Sequence, residues 1–152
     1  MGQVTLTNST VSNNYANLSL GGIWGSGTIG NTILNNNSDT NLSGNFTSLG
    51  YNLSSDDGGG YLNEPGDQID TDPMLGPLQN NGGPTLTHAL LPGSPTINAG
   101  DPNFAPPPFY DQRGSPFVRV FNGRIDIGSF EVQPPRRPIP APRPRPSLSP
   151  RP

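Results

Sequence analysis

Apolar and polar positions in the first third of the chain return at a fixed interval. Residues 6–14 (Leu-Thr-Asn-Ser-Thr-Val-Ser-Asn-Asn) come back 23 positions later as residues 29–37 (Ile-Gly-Asn-Thr-Ile-Leu-Asn-Asn-Asn). Apolar falls on apolar at Leu6/Ile29 and Val11/Leu34, and Asn on Asn at Asn8/Asn31, Asn13/Asn36 and Asn14/Asn37. A period of this size marks stacked repeats, in which each copy buries a face of its neighbour. Within a copy, Val4-Thr5-Leu6-Thr7 alternates as a half-buried strand does, with Val4 and Leu6 on one face. Short β-favouring runs at Thr10-Val11, Gly22–Trp24, Thr28-Ile29 and Ile33-Leu34 are separated by Asn/Gly/Ser corners, and residues 46–53 read as a third, looser copy. No stretch keeps a helical period, and three consecutive Asn at 35–37 oppose a helix. The pattern predicts an all-β fold whose first 64 residues form two to three coils of a parallel β-solenoid.

Beyond residue 64 the pattern changes. Residues 65–132 hold eleven Pro and the turn signals Glu64-Pro65-Gly66, Asn81-Gly82-Gly83-Pro84, Pro92-Gly93 and Gly100-Asp101-Pro102. Short apolar pieces lie between them at 86–91, 117–121 and 125–127. The alternation at 117–121 predicts a hairpin strand turning at Asn122-Gly123. This region reads as a loop-rich β cap closing one end of the stack. Residues 133–152 hold nine Pro and five Arg, with Pro at every second position from 138 to 146. Such a tail favours extended polyproline II, a semi-rigid spacer reaching roughly 60 Å at about 3.1 Å per residue.

Three ordered groups of residues carry a resemblance. They are Ser48–Leu53 with Asp70–Leu78; Asn81–Thr85 with Leu90–Asp101; and Asp111-Gln112-Arg113-Gly114 with Asp126-Ile127-Gly128-Ser129-Phe130-Glu131. Through them residues 45–132 resemble the C-terminal region of bacterial choice-of-anchor Q domain surface proteins, which follow right-handed parallel β-helix repeats. The resemblance implies a right-handed parallel β-helix at the cell surface or outside the cell, with a structural or adhesive role. Members are typically followed by an anchoring signal, where this chain has its Pro/Arg tail.

Composition adjusts this picture at a few points. Only 12% of residues are charged, so polarity rests on Asn, Ser, Thr and Gly, which suit tight turns and side-chain ladders. There is no Cys, which removes disulfides and thiolate metal sites. Residues 1–132 carry three Arg against eleven acids, a formal −8, while the tail carries +5. No apolar run is long enough to cross a membrane as a helix. The opening Met1-Gly2-Gln3 has no basic segment followed by an apolar one, so no signal peptide is expected.

The candidate chemistry is sparse. Pectate-lyase-like β-helices act on sugars with carboxylates, calcium and a basic residue on one face, yet residues 1–38 hold no acid, Lys or Arg. No catalytic residue is assigned; a polysaccharide lyase or hydrolase stays open if upstream coils exist. Asp67, Asp70 and Asp72 are the candidates for calcium, with turn capping as the favoured reading. Asp111, Arg113, Arg124, Asp126 and Glu131 are expected to form a structural clasp, Arg113 or Arg124 pairing with Asp126 or Glu131. His88, the one histidine, is read as a structural residue of a half-buried strand rather than an acid–base group. Trp24, Tyr15, Tyr51 and Tyr61 form a candidate platform for sugar rings, against corner packing of Trp24. Asn-x-Ser/Thr sequons at Asn8, Asn17, Asn36, Asn41, Asn45 and Asn52 follow from composition, and Asn8/Asn31 and Asn13/Asn36 are expected to form a hydrogen-bonded ladder. The tail Arg suit polyanions but lack interleaved aromatics, which argues against specific nucleic-acid binding. Val4, Leu6 and Val11 make an assembly edge whose partner is upstream coils or another copy of the chain, the latter giving a filament subunit; cell-surface polysaccharide is a further candidate partner.

Overall fold

The structure, a computed structural model, describes residues 3–17 and 21–134. Strands β1 (Val4–Thr7), β3 (Ile23–Gly30) and β5 (Leu42–Ser48) form one parallel sheet in that order. Strands β2 (Thr10–Ser12), β4 (Ile33–Asn35) and β6 (Leu53–Ser54) form a second. The chain alternates between them, and the register follows the sequence period: Leu6 pairs with Ile29, and Val11 with Leu34.

What turns the chain between the sheets explains the recurring Asn. Asn8 (φ 50°), Asn31 (φ 53°) and Tyr51 (φ 56°) stand at matching corners in the left-handed region, and Asn13 (φ 56°) and Asn36 (φ 50°) at the next. Asn tolerates this region better than other residues with a Cβ, because its short polar side chain can bond locally. Each corner N–H donates along the stack: Asn8 N to Gly30 O (3.2 Å), Asn31 N to Gly50 O (3.1 Å), Tyr51 N to Pro65 O (3.1 Å).

Adjacent residues of β4 divide two cores, since successive side chains of a strand point to opposite faces. Leu34 joins Ile29, Leu42, Phe46 and Leu62 between the sheets, with Leu6, Val11, Ile23 and Tyr61 at the margin. Ile33 points the other way and joins Leu53, Leu90, Ile127 and Phe130. Residues of the Pro-rich region therefore pack on the outer face of the β2-β4-β6 sheet. This corrects the expectation of a cap confined to one end: both faces of that sheet are apolar at Ile33 and Leu34, and burying each is worth about 1.5–3 kcal/mol. One piece does close an end, because Gln68 bridges Leu53 in parallel and its carbonyl accepts from Ser54 N.

An antiparallel pair, β7 (Leu75–Gln79) and β8 (Thr87–Leu90), completes the described strands. The hairpin expected at 117–121 reduces to isolated bridges, Tyr110 with Val118 and Phe121 with Arg124. Its turn is present, with Asn122 and Gly123 at φ 54° and 85°, the double positive φ of a type I′ turn. Among the described residues no helix is long and apolar enough to cross a membrane. Most of the expected Pro/Arg tail, from residue 135, lies outside the described residues.

Candidate functional site

The densest chemistry is a buried charged cluster behind the sheet, built from the two motifs at 111–114 and 126–131. Asp111 begins a tight turn, its Oδ1 accepting the Arg113 backbone N–H at 2.8 Å. The turn folds Arg113 back so that Nε and Nη2 both meet Asp111 Oδ2, at 3.0 and 2.6 Å. Arg113 Nη2 also donates to the Glu131 carbonyl, and Glu131 N donates to Asp111 Oδ2. The guanidinium lies between two rings, 3.8 Å from the centroid of Phe117 and 3.7 Å from that of Phe130. Charge-assisted bidentate bonding and ring stacking together suit Arg and not Lys.

The second motif works residue by residue. Asp126 accepts the N–H groups of Asn98 and Val132, both at 2.6 Å, tying three segments together. Ile127 enters the outer core. Gly128, at φ 98°, lets the backbone approach β2 and β4: a Cβ there would stand 2.6 Å from Ile33 Cδ1 and 2.9 Å from Thr10 Oγ1. Ser129 N and Oγ both donate to Thr10 Oγ1. Phe130 stacks on Arg113, and Glu131 Oε2 accepts Asp126 N at 3.0 Å.

The clasp pairings differ from expectation. Arg113 pairs with Asp111, not with Asp126 or Glu131, because the two-residue turn brings those groups together first. Arg124 meets no carboxylate among the described residues: its Nε and Nη2 donate to the Gly100 and Ala99 carbonyls, with Tyr51 5.7 Å away. The arginine that faces Glu131 and Asp126 is Arg119, which sequence reasoning missed. Alternation at 117–121 predicted a strand but not which of its faces is covered: Val118 and Val120 are 40% and 36% exposed while Arg119 is 1% exposed. Its Nη2 donates to Asn8 Oδ1 and to the Asp126 carbonyl, both at 3.0 Å, while Nε and Nη1 have no hydrogen-bond partner among the described residues.

Burial governs the protonation of this cluster. It pushes the Glu131 carboxyl up to about 8, with repulsion from Asp126 adding to the rise and Asp126 N–H and Arg119 opposing it. Burial also raises Asp126, against the bonds from Asn98 and Val132. It lowers Arg119, with Glu131, Asp111 and Asp126 acting in the other direction. Away from the cluster, burial would raise Asp56, but bonds from Ser54 Oγ, Asn41 N and Gly58 N outweigh it and leave the group lowered.

The structure disperses the calcium candidates. Asp67 takes Asn52 N and Nδ2 on Oδ1 and Ser48 Oγ and Glu64 N on Oδ2. Asp72 caps Met74 N at 2.8 Å, and Asp70 sits exposed at φ 49°. Among the described residues no three acids or histidines gather as a metal set. The platform aromatics have separate surroundings: Trp24 and Tyr15 are exposed, Tyr51 lies near Arg124, and Tyr61 packs edge-on against Phe46 with its hydroxyl on the Gly44 carbonyl. His88 stands half-buried in β8, its Nδ1 2.7 Å from the Gly76 carbonyl oxygen. Of the sequon residues, Asn41 and Asn52 are fully buried and internally bonded.

At the assembly edge, β1 and β2 are each the outermost strand of a sheet. Leu6 and Val11 are half-buried where their partners Ile29 and Leu34 are fully so, and Val4 is 42% exposed. Among the described residues the side-chain ladders end here. Asn31 Nδ2 donates to Asn8 Oδ1 at 2.7 Å, as expected. The second ladder uses Asn14 and Asn37 instead of Asn13 and Asn36, which point outward: Asn14 Nδ2 donates to Asn37 Oδ1, Asn37 Nδ2 to Asn41 Oδ1, and Asn41 Nδ2 to Ser54 Oγ. Compared with known proteins, the chain matches no family model, no curated protein and no solved structure.

Proposed function

We propose that this chain is the C-terminal part of a right-handed parallel β-helix surface protein of the choice-of-anchor Q kind, a non-catalytic structural or adhesive module outside a bacterial cell. The observation that carries the reading is where the ionisable side chains go. Asp111, Arg113, Asp126 and Glu131 are buried and bonded to backbone groups or to one another, so the residues best equipped for chemistry hold loops to the sheet instead. The in-register pairing of Leu6 with Ile29 and Val11 with Leu34 supports the coiled part of the reading. Regular coils offer a stiff rod on which loops are displayed at fixed spacing. The test is an assay of the full chain against a panel of acidic and neutral polysaccharides, with and without calcium. No product is expected in either condition, and turnover of any of them refutes the non-catalytic reading.

A further inference from the structure

The two Asn ladders run in opposite directions, and that fixes what each leaves at the free edge. In the first, the donor is on the inner coil: Asn31 Nδ2 gives its hydrogen to Asn8 Oδ1. Among the described residues Asn8 Nδ2 donates to nothing. In the second, the donor is on the outer coil: Asn14 Nδ2 gives to Asn37 Oδ1, and Asn14 Oδ1 accepts nothing among those residues. The edge thus ends in one unused amide donor and one unused amide acceptor, at the two ends of β2. Between them runs the outer backbone edge of β2, and ahead of Asn8 that of β1, neither paired among the described residues, over the half-exposed Leu6 and Val11. Clefts of about 480 and 390 Å³ follow this edge, flanked by Tyr110, Gln112 and Leu86.

We propose that this edge is a docking site for one more coil of the same 23-residue repeat, paired in parallel and bearing Asn at both ladder positions. Its Asn above Asn8 would supply the acceptor and its Asn above Asn14 the donor, so each ladder grows by one step with its direction kept. The same relation already joins the first two coils in the structure, so the proposed interface continues an existing one. A second copy of the chain fits less well. Parallel pairing needs a free edge on the opposite end, and there Gln68 already bridges Leu53 while Tyr61 covers Phe46. The inference rests on the coiled reading above and adds the chemistry of the partner.

A tandem duplication of residues 4–26, placed ahead of Val4 in the full chain, tests it. The repeat keeps register, putting a new Asn 23 positions before Asn8 and another 23 before Asn14. Hydrogen–deuterium exchange of the original β1 and β2 amides is expected to slow by about tenfold or more as they become interior. Replacing both added Asn by Ala should return most of that gain, whereas mere coverage by the added segment would keep it. Unchanged exchange at the original β1 and β2, with Ile29 and Leu34 protected, overturns this inference alone; fast exchange at Ile29 and Leu34 overturns the coiled reading with it. Edge protection in the unduplicated chain that grows with protein concentration, together with a dimer in sedimentation, makes a second copy the occupant and also overturns it.

Discussion

Glu131→Gln should change how stability depends on pH, and the sign is opposite to that of an ordinary salt-bridged acid. In the unfolded chain a glutamate ionises near its usual value of about 4.3. Folded, burial holds Glu131 up to about 8. Between those values the native state keeps a proton that the unfolded state has released, so stability is greatest below the lower value and falls as pH rises toward the upper. One proton of difference gives a slope of about −1.4 kcal/mol per pH unit. From pH 5 to 7 the loss approaches about 2.7 kcal/mol, a large share of the roughly 5–15 kcal/mol typical of a domain. Gln keeps an oxygen for the Asp126 N–H and cannot ionise. The variant should therefore match the wild type at pH 5 within about 1 kcal/mol and exceed it at pH 8. Urea unfolding at pH 5, 6, 7 and 8 reads this directly through the midpoint at constant m. Asp126, raised by burial as well, leaves the variant a residual slope of the same sign, which Asp126→Asn added to it should reduce. Parallel slopes in wild type and Glu131→Gln, or wild-type stability that climbs from pH 5 to 8, refute the reasoning.

Other perturbations separate the remaining contributions. Arg113→Ala strips Asp111 of its buried partner and should cost about 3–5 kcal/mol in chemical denaturation; Arg113→Lys should recover only part, since an ammonium neither bonds bidentately nor stacks flat between Phe117 and Phe130. Asn31→Ala removes bonds to Asn8, the Asp126 carbonyl and Asp101 N at a left-handed corner, and a loss of about 3 kcal/mol is expected. Asn31→Gly should recover part of it by relieving the backbone alone. Calcium at millimolar concentration should leave the thermal midpoint unmoved, because Asp67 and Asp72 already serve backbone and side-chain donors. A calcium-dependent rise of several degrees contradicts that assignment. Ile33→Ala should cost about 2–5 kcal/mol, as for a cavity between sheet and covering loops.

The repeat was legible because a corner in left-handed conformation favours Asn, and Asn stands at that corner in the first two repeats although Tyr51 takes it in the third. Asn8, Asn31, Asn13 and Asn36 follow this preference, so the period and the strand register could be read together. The position of the Pro-rich region was less legible. Its signal lay in the neighbouring pair Ile33-Leu34, since a strand with two adjacent apolar residues is covered on both faces. Read as ordinary strand content, the pair said nothing about what would lie against Ile33.

The charged residues show where pattern reasoning stops. Asp111, Arg113, Asp126 and Glu131 could be named as a group because they sit in the motifs that carry the family resemblance, but their pairing depends on distances that only the closed loops define. At 117–121 the usual rule inverted. Arg119 is buried and its flanking valines are half out, which no hydrophobic alternation predicts. The gain lies in what Arg119 reaches: Asn8 Oδ1 at the corner between β1 and β2 and the Asp126 carbonyl in the covering loops. One long cation thereby connects the end of the Asn ladder to the motif that covers the sheet. A valine at 119 would bury more easily and join nothing, so the cost of desolvating a guanidinium is offset only where two distant segments need a common donor. That makes Arg119 the residue through which a coil added at the edge and the loops behind it would feel one another.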